Sequence, residues 1–250
     1  MYINDTHIGF YLLAAIIGLA VGQVIDWMNK RLPENKKVFT MEIFREYKIE
    51  FKPNYILMLI TATIYVGLVY QLGIQDSFIG NLNLIKYLIL TPMLLSALII
   101  DYKHKIIPDR LNLTIFEVGL IIAFIYGTSN VSITIDMLIG MLAGGGIFLI
   151  IALIGSLIYG KEAMGLGDVK LMGALGLYFG VTNTVTIAIL SFLIGAIVSI
   201  VLIITRIKKA NEYIPFGPFI VISAFLCIFV PFGTLTTVLK TIFTLGMNKD

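Results

Sequence analysis

The sequence predicts an all-α fold, a polytopic helical membrane protein with about eight transmembrane helices, and three observations carry that prediction. Of its 250 residues 58% are apolar and only 13% charged, with a mean hydropathy of +0.97, whereas a soluble domain is about half apolar and about a quarter charged. The apolar residues fall in long continuous runs, and crossing about 30 Å of hydrocarbon takes roughly 20 residues of helix. Lysine and arginine crowd into alternate connections between those runs. Only helices and closed barrels satisfy the backbone in lipid, and runs of this length are helices.

The first run, 8–27, follows no lysine or arginine and precedes no small-residue cleavage pattern. It is therefore expected to stay as a membrane anchor, so that 1–27 is the first transmembrane helix and not a signal peptide. Residues 28–53 form the only sizeable polar stretch, with Val38, Phe39, Ile43, Phe44, Tyr47 and Phe51 scattered among basic positions. That mixture suits a small amphipathic subdomain on an anionic membrane surface, and equally a solvated linker. Residues 54–250 read as the main transmembrane domain, with spans at 54–74, 82–101, 111–127, 134–159, 169–182, 184–205 and 216–245. The span 169–182 is short and carries Gly173, Gly176 and Gly180, so it is expected to be half-buried or merged with a neighbour.

Eight crossings put the connections 28–53, 102–110, 160–168 and 206–215 on one side. Fifteen of the 18 lysines and arginines lie in or beside them, which leaves only Lys86, Lys240 and Lys249 opposite. By the positive-inside rule those connections face the cytoplasm and both termini lie outside. The net charge of +3 thus reflects sidedness, and no nucleic-acid partner is expected. A single cysteine, Cys227, in an apolar run leaves no disulfide framework and no thiolate metal site.

Ionisable groups at membrane depth are costly, so each is a candidate for function. Asp101 closes the run Ser96 to Ile100, and Asp168 ends Gly165-Leu166-Gly167-Asp168. Two crossings separate them, one out and one back, which puts both at the same face. Two carboxylates converging there repel, so one keeps its proton while the other ionises. Such a pair can activate a water for attack on a peptide carbonyl and protonate the leaving nitrogen, acting as a unit. Gly165 and Gly167 would let a substrate strand approach closely, and Lys170 would orient or tune Asp168. Spacing alone leaves the blander readings open: a helix-end acid reaching interfacial water for Asp101, and a helix cap for Asp168.

Three stretches narrow the choice. Asp101-Tyr102-Lys103-His104-Lys105-Ile106-Ile107-Pro108-Asp109-Arg110-Leu111, Gly160 through Leu171 with Gly165-Leu166-Gly167-Asp168 inside it, and Ile214-Pro215-Phe216-Gly217-Pro218 together resemble the prepilin peptidases, membrane aspartic proteases of the G-x-G-D type. Gly22 through Pro33 is similar to that family's N-terminal signature. The resemblance implies Asp101 and Asp168 as the catalytic dyad, with Gly165, Gly167, Lys170, Pro215 and Gly217 in supporting places. It also implies prepilin or pseudopilin precursors as substrates, cut after the glycine of a short basic leader at the cytoplasmic face of the bilayer. Many relatives also methylate the new N-terminus with S-adenosylmethionine and carry two Cys-x-x-Cys pairs in the first cytoplasmic loop. Residues 28–53 hold no cysteine, and Asp26 stands where an asparagine is expected. The expectation is therefore a peptidase that needs no cofactor or metal for proteolysis, with S-adenosylmethionine required only if methylation is retained. Nothing in the pattern sets an oligomeric state.

His104 sits in a basic, wet loop and is assigned a structural role, and Asp109, after Pro108, a helix N-terminal one. Glu117, about two turns inside an apolar run, is expected to bond to a neighbouring helix. Asp76 and Asp136 fall on the far side. Tyr213 to Pro218 are expected to form a kinked entry approaching the site. Two other functions fit less well: a small proton-coupled transporter with an Asp101, Glu117, Asp168 relay, and an inactive relative that only binds pilin precursors.

Overall fold

The structure, a computed structural model, describes residues 2–4, 6–34, 53–160, 164–209 and 212–244. The expected surface subdomain falls mostly outside these residues, as do Lys161, Glu162 and Ala163 of the Gly160 to Leu171 stretch. A two-residue antiparallel pair, β1 (Tyr2–Ile3) with β2 (Thr6–His7), precedes the helices. The rest of the described chain is helical, as the apolar runs require: α1 (Ile8–Arg31), α2 (Tyr55–Leu72), α3 (Phe78–His104), α4 (Asp109–Gly127), α5 (Val131–Tyr159), α6 (Leu166–Ile204), α7 (Gly217–Phe229) and α8 (Phe232–Phe243). Six of them, α1 to α6, are long and apolar enough to cross a membrane, so this is a multi-pass membrane protein.

Two of the expected spans are built differently. The spans 169–182 and 184–205 join as α6 with no loop between them, broken only at Gly180, whose φ of 68° and ψ of 178° belong to glycine alone. Along α5, Gly140 and Gly144 meet Gly176 and then Met172 of α6, in descending order. Gly144 and Phe148 also meet Thr184 and Phe192, in ascending order. The chain therefore doubles back at Gly180, and α6 is two arms, 166–179 and 181–204. Glycines let the backbones close: a Cβ on Gly176 would fall on the main chain of Gly140.

The expected last span, 216–245, is not one helix. Val230 precedes Pro231, and the proline ring pushes it to an extended φ of −108° and ψ of 128°, which ends α7 after 13 residues, about 20 Å of rise. Helix α8 is then a separate amphipathic helix whose Leu235 and Leu239 pack on Leu190 of α6. Hydropathy runs smoothly through Val230 and Pro231, so composition concealed a break that backbone sterics impose.

The turn at Gly180 is secured by charge. Lys86 of α3 is buried, and its Nζ donates to the Tyr178 carbonyl at 2.8 Å with the Tyr87 ring centroid 4.5 Å away. Asp136 of α5 accepts from the Val181 amide at 3.3 Å. A cation thus meets the C-terminal end of one arm and an anion the N-terminal end of the next, as helix dipoles favour. Glu117 makes no bond to a neighbouring helix among the described residues; it is exposed on α4.

Candidate active site

At the opposite end of the 166–179 arm, helix ends bring the acids together. Helix α3 closes with Lys105 in the left-handed region, φ 58°, its amide donating to the Asp101 carbonyl at 2.8 Å. That turn sends Ile106, Ile107 and Pro108 across the start of α6, where Ile107 Cβ would lie 3.2 Å from a Cβ on Gly167. Asn112, in the first turn of α4, completes the clamp: its Nδ2 donates to the Gly167 carbonyl at 3.0 Å. A side chain at Gly167 would wedge the two segments apart.

Asp168 is the third residue of α6, after Gly165 at the N-cap position. It does not cap the helix: among the described residues its carboxylate accepts no hydrogen bond, and Oδ1 is buried without a partner. Gly165 lies alongside, where a Cβ would sit 3.4 Å from Asp168 Oδ2. Asp101, one turn before the end of α3, accepts from the Gly217 amide at 2.9 Å through Oδ2. Gly217 opens α7, so Asp101 also sits at the positive end of a helix. Glycine leaves room there, since a Cβ would stand 2.6 Å from Asp101 Oδ2 and displace the carboxylate. Each acid is only 3% exposed, and both line one cavity of about 490 Å³.

Lys105 and Tyr213 line the same cavity; the sequence brought Tyr213 to Pro218 toward the site and gave Lys105 no place there. Lys105 Nζ lies 5.8 Å from the centroid of the Tyr213 ring. Burial pushes the Tyr213 phenol up to about 12, and the Asp168 and Asp101 charges add to the effect. Tyr213 adjoins the Ile214 to Pro218 stretch, and that adjacency was the signal available; Asn112 had none. Pro215, half-buried, lies on the segment that delivers Gly217 to Asp101.

Lys170 does not reach Asp168. Its Nζ is 2.6 Å from Asp109 Oδ1, an exposed pair that joins α6 to the first turn of α4. His104 is exposed and borders a separate cavity of about 590 Å³ with Asp26, Lys30 and Asn54. There Asp26 pairs with Lys30 at 2.8 Å and accepts from Asn54 Nδ2 at 2.9 Å. Among the described residues no three of His, Cys, Asp and Glu gather as a metal site would require.

Residues 88–200, which contain Asp101 and Asp168, match the profile of the Type IV leader peptidase family. A Prepilin leader peptidase/N-methyltransferase of Aeromonas hydrophila is 33% identical over 141 residues, 56% of this chain and 48% of that protein. One of Legionella pneumophila is 34% identical over 140 residues, 55% of this chain and 47% of that protein. One of Neisseria gonorrhoeae is 29% identical over 168 residues, 67% and 54% of the two. The chain spans about half the length of the curated relatives it matches. No solved structure matches it significantly.

Proposed function

From a chain related to the type IV prepilin leader peptidases through the segment that carries both carboxylates, we propose a membrane-embedded aspartic endopeptidase that removes the short basic leader of prepilin-like precursors. The observation that carries this reading is the pairing of Asp101 and Asp168 in one cavity, with Asp168 free of hydrogen bonds among the described residues. The pair holds one proton between them. Its ionised member takes a proton from water as the water oxygen attacks the carbonyl carbon after the leader glycine, and the protonated member gives its proton to the carbonyl oxygen. The resulting diol collapses as the carbon–nitrogen bond breaks and the nitrogen takes up a proton. The products are a leader ending in a carboxyl group and a mature chain beginning with an amine. Neither acid has a fixed role, because the two titrate together.

The one-sided lysines and arginines support a cytoplasmic location for the dyad, where a basic leader meets the anionic leaflet. Glycines at 165, 167 and 217 leave room beside the carboxylates, and Pro215 stiffens the segment before Gly217. Methylation would add S-adenosylmethionine as cofactor; the dyad needs none. A proton relay through Glu117 is not favoured, since Glu117 is exposed on α4 and does not line the cavity.

Co-expression with a pilin precursor tests the reading by gel mobility. Asp101→Asn and Asp168→Asn should each lower cleavage by about a thousandfold or more, and cleavage persisting in both would end the dyad assignment. Mass spectrometry of the processed N-terminus reports the cut site and whether a methyl group is added.

A further inference from the structure

Resting on the reading of Asp101 and Asp168 as a peptidase dyad, we propose that Tyr213 is a third catalytic residue, whose hydroxyl donates a hydrogen bond to the scissile carbonyl oxygen. Apart from the two acids, the side chains with hydrogen-bond donors on the cavity wall are, among the described residues, Lys105 and Tyr213. The lysine ammonium lies over the tyrosine ring, 5.8 Å from its centroid, and holds the ring from behind. The tyrosine hydroxyl has no hydrogen-bond partner among the described residues. With its phenol pushed up to about 12 it remains a neutral donor across the physiological range.

The chemistry calls for such a donor. An ionised carboxylate only accepts, and the pair has one proton to give, so charge gathering on the carbonyl oxygen gains from a second, fixed O–H. Tyr213 lies outside any helix and is 45% exposed, but the segment it opens is anchored three residues on. Phe216 anchors the segment among aromatic rings, with centroids 4.9 Å from Phe192, 5.9 Å from Phe148 and 5.9 Å from Phe219. Pro215 sets the backbone between them. Gly217 then binds Asp101 at 2.9 Å. One short segment therefore ties the hydroxyl donor and one acid of the dyad to the same frame.

The test compares the full chain with Tyr213→Phe, reconstituted in lipid, on a prepilin-like precursor. The substitution keeps the ring against Lys105 and removes only the hydroxyl. We expect kcat to fall about a hundredfold with KM within about threefold, and the pH profile to keep its shape because the phenol does not titrate there. Thermal unmasking of Cys227 to a thiol-reactive dye should match the parent chain, which separates lost chemistry from lost fold. Wild-type kcat in Tyr213→Phe, or a change confined to KM, overturns the proposal. Tyr213→Leu, which carries no hydrogen-bond donor, should be at least as slow; full activity there overturns it too. Failure of the dyad reading gives a different result, cleavage by Asp101→Asn or Asp168→Asn.

Discussion

The two ends of the 166–179 arm treat charge in opposite ways. At the Gly180 end, Lys86 reaches the Tyr178 carbonyl at 2.8 Å and Asp136 receives the Val181 amide at 3.3 Å, so each charge closes a helix terminus. At the other end Asp168 accepts no hydrogen bond among the described residues and Asp101 accepts one, from Gly217. Lys86 and both acids are buried and face a cost of desolvation, whereas Asp136 is exposed. Lys86 recovers that cost by holding the hairpin together, and in the proposed peptidase the two acids keep their bonding capacity for water and substrate. Charge that is satisfied closes the hairpin, and charge with few partners lines the cavity.

That contrast breaks most readily at Gly217. Gly217→Ala puts a Cβ 2.6 Å from Asp101 Oδ2, so the Asp101 carboxylate must shift to admit it. Misplacing a reacting group by about 1 Å costs about a hundredfold, and cleavage should fall on that scale while Cys227 unmasks at an unchanged temperature. Wild-type cleavage would mean that the Gly217 contact does not position Asp101. Lys86→Met probes the Gly180 end and reverses the pattern. The buried Tyr178 carbonyl loses its partner, a loss of about 1–3 kcal/mol, so the unmasking temperature should drop while cleavage at permissive temperature stays near the parent rate. An unchanged melting curve would remove Lys86 from the hairpin's support. The smallest effect belongs to Lys170→Met. Its pair with Asp109 is exposed and is worth less than about 1 kcal/mol, and the pH profile of cleavage should not move. A clear shift would show that Lys170 reaches Asp168 during turnover.

Much of the fold was legible because lipid imposes a constraint that a local window can read. Each of α1 to α5 lies within a few residues of its expected run, and the glycine-rich span 169–182 stands as an arm of its own, turned back on its neighbour at Gly180. The misreading of 216–245 has a clear cause: hydropathy averages over Pro231, whereas the ring acts on one dihedral of Val230. At the site, Asp101 and Asp168 were legible as acids at the ends of apolar runs. Lys170 was not, because its proximity in sequence to Asp168 hid a partner on α4. Tyr213 was legible only through its adjacency to Ile214 to Pro218, and Asn112 carries no local signature of the Gly167 carbonyl.

The sequence by itself determined that the chain is a bundle of membrane helices with two acids entering at one end, because burial in hydrocarbon is a property of composition along each run. Only the tertiary structure decided what each acid meets there. The Gly217 amide comes from 116 positions away, and the Tyr178 carbonyl lies 92 positions from Lys86. Contacts across such separations follow from how helices pack, and no period along the chain encodes them.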